Sequence, residues 1–96
     1  MADTITVESH GVTVEVETAR LADPRFTYCL SRSADGKLPD DRKLVFYGRM
    51  LSTLFGDDGA YGIMCDLADA GDGTVTVDAF NDFFADVLQQ VGAKNS

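Results

Sequence analysis

The chain has no tryptophan, one histidine, two cysteines and two prolines among 96 residues. Each scarcity removes a class of function. With His10 as the only imidazole, set in a predicted turn, no His-based general base stands beside a cysteine or serine nucleophile. Cys29 and Cys65 belong to no CxxC pair and have no histidine nearby, so both are expected to pack as reduced core residues. Cations are few: 8 Lys and Arg against 16 Asp and Glu give a net charge of −8. No basic cluster stands out that could neutralise phosphates, so nucleic acid is not an expected partner. The acidity serves solubility or complements a basic partner. No apolar run approaches the ~20 residues that span a bilayer, and Met1-Ala2-Asp3-Thr4 lacks the basic and apolar regions of a signal peptide. The expected location is the cytoplasm, with no membrane partner. The Gly-rich stretches 56–62 and 71–73 lack the Lys-Ser/Thr of a phosphate-binding loop. Carboxylates are scattered over loops and polar faces, so no enzyme activity and no cofactor are expected.

Residues 69–80 resemble the calcium loop of an EF-hand, which places oxygen ligands at positions 1, 3, 5, 7, 9 and 12 and a turn glycine at 6. Only the register with Gly73 at position 6 fits. Asp72 then takes position 5, Thr74 position 7 and Thr76 position 9. Positions 1, 3 and 12 become Ala68, Ala70 and Ala79. One carboxylate does not hold a cation that needs six to eight oxygens, so no metal site is expected and the stretch reads as a turn leading into a helix.

The content that is present fits one domain, residues 1–96, whose hydrophobic fraction of 45% suits a globular core. Residues 4–17 alternate apolar and polar around His10-Gly11, as a β-hairpin does. A two-residue loop pairs Ser9 with Val12, Val7 with Val14 and Ile5 with Val16, all on one face. The helical part, 23–91, opens at Asp23-Pro24, a good N-cap followed by a residue suited to the first helical position. Phe26, Cys29, Leu30 and Ser33 follow at helical spacing. A second helix runs from Asp40 or Asp41 to about Phe55, with Leu44, Tyr47, Gly48, Leu51, Leu54 and Phe55 on one stripe and Phe46 and Met50 on another, with Val45 between. Such a wide apolar arc belongs to a helix that is central or that also faces a partner. Gly56-Asp57-Asp58-Gly59 is expected to break the chain before a third helix, about 60–68, with Ala60, Ile63, Met64, Leu67 and Ala68 as its stripe. Thr76 is placed to cap a fourth helix with Val77, Phe80, Phe83, Phe84, Val87, Leu88 and Val91 facing the core. Gly92 is expected to stop it, leaving 92–96 as a flexible tail. The expected fold is α+β and mainly helical: an N-terminal β-hairpin followed by about four helices packed as a small bundle.

The order of these elements carries a resemblance. A hairpin is followed by Asp23-Pro24-Arg25-Phe26, then by Leu44-Val45-Phe46-Tyr47-Gly48-Arg49-Met50-Leu51 closing on Leu54-Phe55-Gly56-Asp57-Asp58. An acidic turn leads to residues 74–88, Thr-Val-Thr-Val-Asp-Ala-Phe-Asn-Asp-Phe-Phe-Ala-Asp-Val-Leu, and the chain ends Gly-Ala-Lys-Asn-Ser. Nearly the whole chain thus resembles the tail assembly chaperones of long-tailed siphophages and prophages, in their short form. The resemblance implies a non-enzymatic protein of the bacterial host cytoplasm that binds the tape measure protein and keeps it soluble before tail tube polymerisation. It also implies self-association, and a longer frameshifted form that recruits the tail tube protein. The residues expected to meet a partner are Phe46 and Met50 with Val45 and Leu54, because methionine adapts to varied contacts and exposed apolar patches mark interaction sites. The alternative is a small acidic protein-interaction module or, less favoured, a degenerate EF-hand-like calcium-binding domain.

Overall fold

A computed structural model describes residues 3–95. Strands β1 (Thr4–Ser9) and β2 (Val12–Glu17) form a two-stranded antiparallel sheet. The register is the expected one, Ile5 on Val16, Val7 on Val14 and Ser9 on Val12. His10 and Gly11 both take positive φ, 54° and 82°, the type I′ geometry whose twist matches that of paired strands. Val7, Val12, Val14 and Val16 are buried, while Thr4, Thr6, Glu8, Thr13, Glu15 and Glu17 face solvent.

A 3₁₀ turn (Thr18–Ala22) leads to helix α1 (Pro24–Ser33). Its cap is as expected: Asp23 Oδ1 accepts the Arg25 N–H at 2.8 Å, satisfying one of the free donors of the first turn. Helix α2 (Asp40–Ala70) follows, and helix α3 (Val77–Asn95) closes the chain. Thr76 Oγ1 accepts the Ala79 N–H at 3.1 Å and caps α3. The architecture is therefore a hairpin followed by three helices packed as a bundle, not four. The two helices expected over 40–55 and 60–68 are joined, and the break between them shrinks to Gly56 at φ 80°, ψ 166°. One glycine in that region redirects the chain, so Asp57, Asp58 and Gly59 stay within the helical run.

At the C-terminus α3 continues through Gly92 to Asn95, so 92–95 are helical where a flexible tail was expected; Ser96 lies outside the described residues. Lys94 Nζ donates to the Thr6 carbonyl at 2.6 Å and ties this last turn to β1.

The core is one cluster. β1 packs on α3, β2 on α2, and α1 and α3 both rest on α2. Phe83, Phe84, Met50 and Leu51 are its most enclosed large side chains. Phe80 stacks on Phe84 at 6.4 Å, and Tyr47 meets Phe84 edge-on at 5.4 Å. Burial pushes the Tyr47 phenol above its ordinary value, with the Asp82 carboxylate adding to the effect.

The conformation at Gly56 is essentially closed to residues with a Cβ and carries about 1–3 kcal/mol of strain for them. Gly56→Ala is expected to lower unfolding free energy by that amount in urea titrations, with Gly92→Ala as a control that is neutral or stabilising.

Candidate partner-binding surface

The four residues expected to meet a partner separate. Met50 is fully enclosed (0% exposed) and Leu54 is buried (4%). These two are core, because α2 is held between α1 and α3 and needs a wide apolar arc for that position alone. Val45 is 43% exposed, and Phe46 is half-buried at the edge of the core. Phe46 lies under two guanidinium groups, Arg32 of α1 and Arg49 of α2, each 5.6 Å from the ring centroid. Neither arginine forms an ion pair; among the described residues these are Arg20–Glu17 and Arg25–Asp23.

Beside this patch runs an open groove of about 570 Å³ between α1 and the first half of α2. Pro24, Tyr28 and Cys29 line one wall, Arg49, Ser52 and Thr53 the other. Tyr28 is 61% exposed at its rim. The groove depends on two elements meeting, so single-element periodicity does not disclose it.

The stretch of sequence that supplies most of the groove reverses the bulk charge. Arg20 to Arg49 hold seven of the eight cations and four aspartates, a net of +3; the rest of the chain has one cation and twelve acids, a net of −11. Of these cations Arg25 and Arg49 line the groove together with Asp57, and Arg32 joins Arg49 over Phe46; Lys43 lies apart, beside Asp40, Asp78 and Asp82.

A polar clasp holds the hairpin to α3. Ser9, buried at the turn, donates its hydroxyl to Asp86 Oδ2 at 2.5 Å. His10 Nδ1 lies 2.7 Å from the same Ser9 oxygen, and the ring meets Phe83 edge-on at 6.1 Å. The predicted turn places no serine at the His10 imidazole, whereas the fold brings the Ser9 hydroxyl to it. The order is not that of a nucleophile and its base: the serine proton goes to the carboxylate, so the imidazole donates to Oγ and cannot accept from it. Gln90 Nε2 extends the clasp to the Glu8 carbonyl at 2.8 Å and to Asp86 Oδ2 at 3.2 Å. The Ser9 hydroxyl, then the Gln90 amide, hold the Asp86 carboxyl below its ordinary pKa.

Residues 69–80 form the expected turn. Asp72 Oδ1 accepts from the Thr74 N–H at 3.1 Å and the Thr74 hydroxyl at 2.7 Å. Gly73 sits at φ 93°. The one carboxylate in register is thus engaged by the turn itself, and no group of three metal-ligating side chains exists among the described residues. Cys29 is buried as expected, but Cys65 is exposed on α2, and both are free thiols. No described helix is long and apolar enough to cross a membrane.

No family model matches the chain, and no significant similarity to a curated protein or a solved structure is found.

Met50→Asp places an unpaired carboxylate in the core and is expected to cost roughly 4 kcal/mol or more. Val45→Asp, on the surface, should stay within about 1 kcal/mol of the parent; thermal melts followed by circular dichroism separate the two. Acid is expected to loosen both the Asp23 cap and the clasp. The Asp23 carboxyl is lowered from 3.8 to about 2, chiefly by the Arg25 side chain and then by its N–H. Since a depressed carboxyl stabilises above its unfolded pKa, this contribution is complete above about pH 4 and lost as pH falls through about 2. Asp23→Asn should flatten the stability–pH curve in that range, and Asp86→Asn should lessen the acid sensitivity of the clasp.

Proposed function

We propose that this chain is a non-enzymatic tail assembly chaperone of the siphophage type, in its short form. In this reading it binds the tape measure protein in the bacterial host cytoplasm and keeps it soluble until tail tube subunits polymerise around it. The observation that supports the reading most is the α1–α2 groove with its exposed Tyr28 and the adjoining Val45 and Phe46. A long helical client has an apolar stripe to cover, and a groove between two helices receives a third along such a stripe. Arg32 and Arg49, without carboxylate partners among the described residues, are placed to meet acidic residues that flank the stripe. Partner contact therefore shifts from the pair Met50 and Leu54 to Tyr28, Val45 and Phe46. Self-association, and recruitment of the tail tube protein by a longer frameshifted form, belong to the same proposal.

Co-expression with a tape measure fragment tests it. The parent chain should raise the soluble fraction of the fragment. Tyr28→Asp and Val45→Asp should lower that fraction several-fold while the chain itself stays folded. Tyr61→Asp, at a side chain 71% exposed outside the groove, should leave it unchanged. Equal rescue by all three variants counts against the groove, and no rescue by the parent counts against the function.

A further inference from the structure

The two edges of the hairpin are treated differently. In the observed register Ser9–Val12, Val7–Val14 and Ile5–Val16 are the hydrogen-bonded pairs flanking a two-residue turn. The intervening residues therefore aim their backbone groups outward: Thr4, Thr6 and Glu8 from β1, and Thr13, Glu15 and Glu17 from β2. On the β1 side α3 covers the edge, with Lys94 on the Thr6 carbonyl and Gln90 on the Glu8 carbonyl. On the β2 side no described residue bonds to the outward N–H or C=O of Thr13 or Glu15. An uncovered edge can template pairing with another chain.

The open edge borders a second groove, about 470 Å³, lined by Thr13, Val14 and Glu15 of β2 and Phe55, Gly59 and Ile63 of α2. Gly59 closes up on the Phe55 side chain so tightly that a Cβ there would lie 2.9 Å from Phe55 Cβ. A third strand laid along β2 would send alternate side chains into this groove and the others onto the solvent face. That face offers Glu8, Glu15 and Glu17, of which, among the described residues, Glu17 alone has a cationic partner.

We propose that β2 is a docking edge for an extended segment of another protein in which Lys or Arg alternates with an aliphatic residue. The segment adds as a third strand, a cation beside the unpaired Glu15 and its aliphatic side chains in the Phe55–Ile63 groove. A second copy of this chain is the wrong occupant. Its strands alternate valine or isoleucine with Thr and Glu and contain no Lys or Arg, so pairing β2 with either strand sets carboxylates near carboxylates. This edge is separate from the α1–α2 groove and does not depend on the chaperone reading.

The probe is a capped, fluorescently tagged peptide Lys-Val-Lys-Ile-Lys-Val-Lys, titrated against the full chain by anisotropy. Saturable binding is expected, with the amides of Thr13 and Glu15 shifted in ¹⁵N-correlated spectra and slowed in exchange. Thr13→Pro removes one outward donor at a position where an edge strand accepts proline, and should weaken binding roughly ten-fold. The same peptide N-methylated at alternate residues on its pairing edge keeps its charge and should weaken as much, which decides the matter if Thr13→Pro does not fold. Glu15→Lys should weaken the cationic peptide. Absence of binding at millimolar peptide overturns the proposal. So does equal affinity for the N-methylated peptide, or for Lys-Lys-Lys-Lys-Val-Ile-Val, since either shows charge attraction without strand addition.

Discussion

A two-stranded sheet does not hold itself together in water, and this constraint organises the rest of the molecule. The valine face of the hairpin must be covered, and α3 and α2 cover it from β1 and β2 respectively. To do so α3 commits Phe83, Phe84 and Val87 to the interior. It also spends a polar row, Asp86, Gln90 and Lys94, one helical turn apart, on the hairpin's turn and outer carbonyls. Apolar burial sets the hairpin against the helix. The polar row fixes its register, since each bond is made at one position along the strand.

α2 is then the axis about which the remaining pieces are arranged. Its first half receives α1 on one side and the aromatic side chains of α3 on another, which is why Met50 and Leu54 are enclosed. What remains at the surface there is Val45, the α1 wall with Tyr28, and Phe46 with Arg32 and Arg49 over its ring. The second half carries only acidic charges, Asp57, Asp58, Asp66 and Asp69. Along the sequence the chain thus divides into a cationic stretch, residues 20–49, and an acidic remainder, a division that its net charge of −8 conceals.

Much of the fold was legible because short-range chemistry decides it. The hairpin register followed from alternation about His10-Gly11, and the caps at Asp23 and Thr76 from side chains that bond the next free N–H. The α3 face followed from spacing alone. Legibility failed where two elements compete for one residue. Met50 reads as a partner stripe on an isolated helix and becomes core once α1 is in place. Cys65 shows the reverse, an apolar-looking position left outside. Gly92 carries a stop signal, yet the Lys94 bond to β1 holds the helix beyond it. The α1–α2 groove and the open β2 edge are relations between segments, so neither has a local sequence mark.

The glycine inside α2 also settles a question of rotation. A helix turns about 100° per residue. Projected on one unbroken helix, the buried positions Tyr47, Met50, Leu51 and Leu54 would cluster on one side. Ala60, Ile63 and Leu67 would cluster about 160° away, close to the opposite side. A straight rod with that pattern would turn one of its stripes to water. Gly56 resets the angular phase between the halves, so both stripes reach the same interior. Two segments that each have a clear apolar side can thus read, taken as one helix, as though they had none.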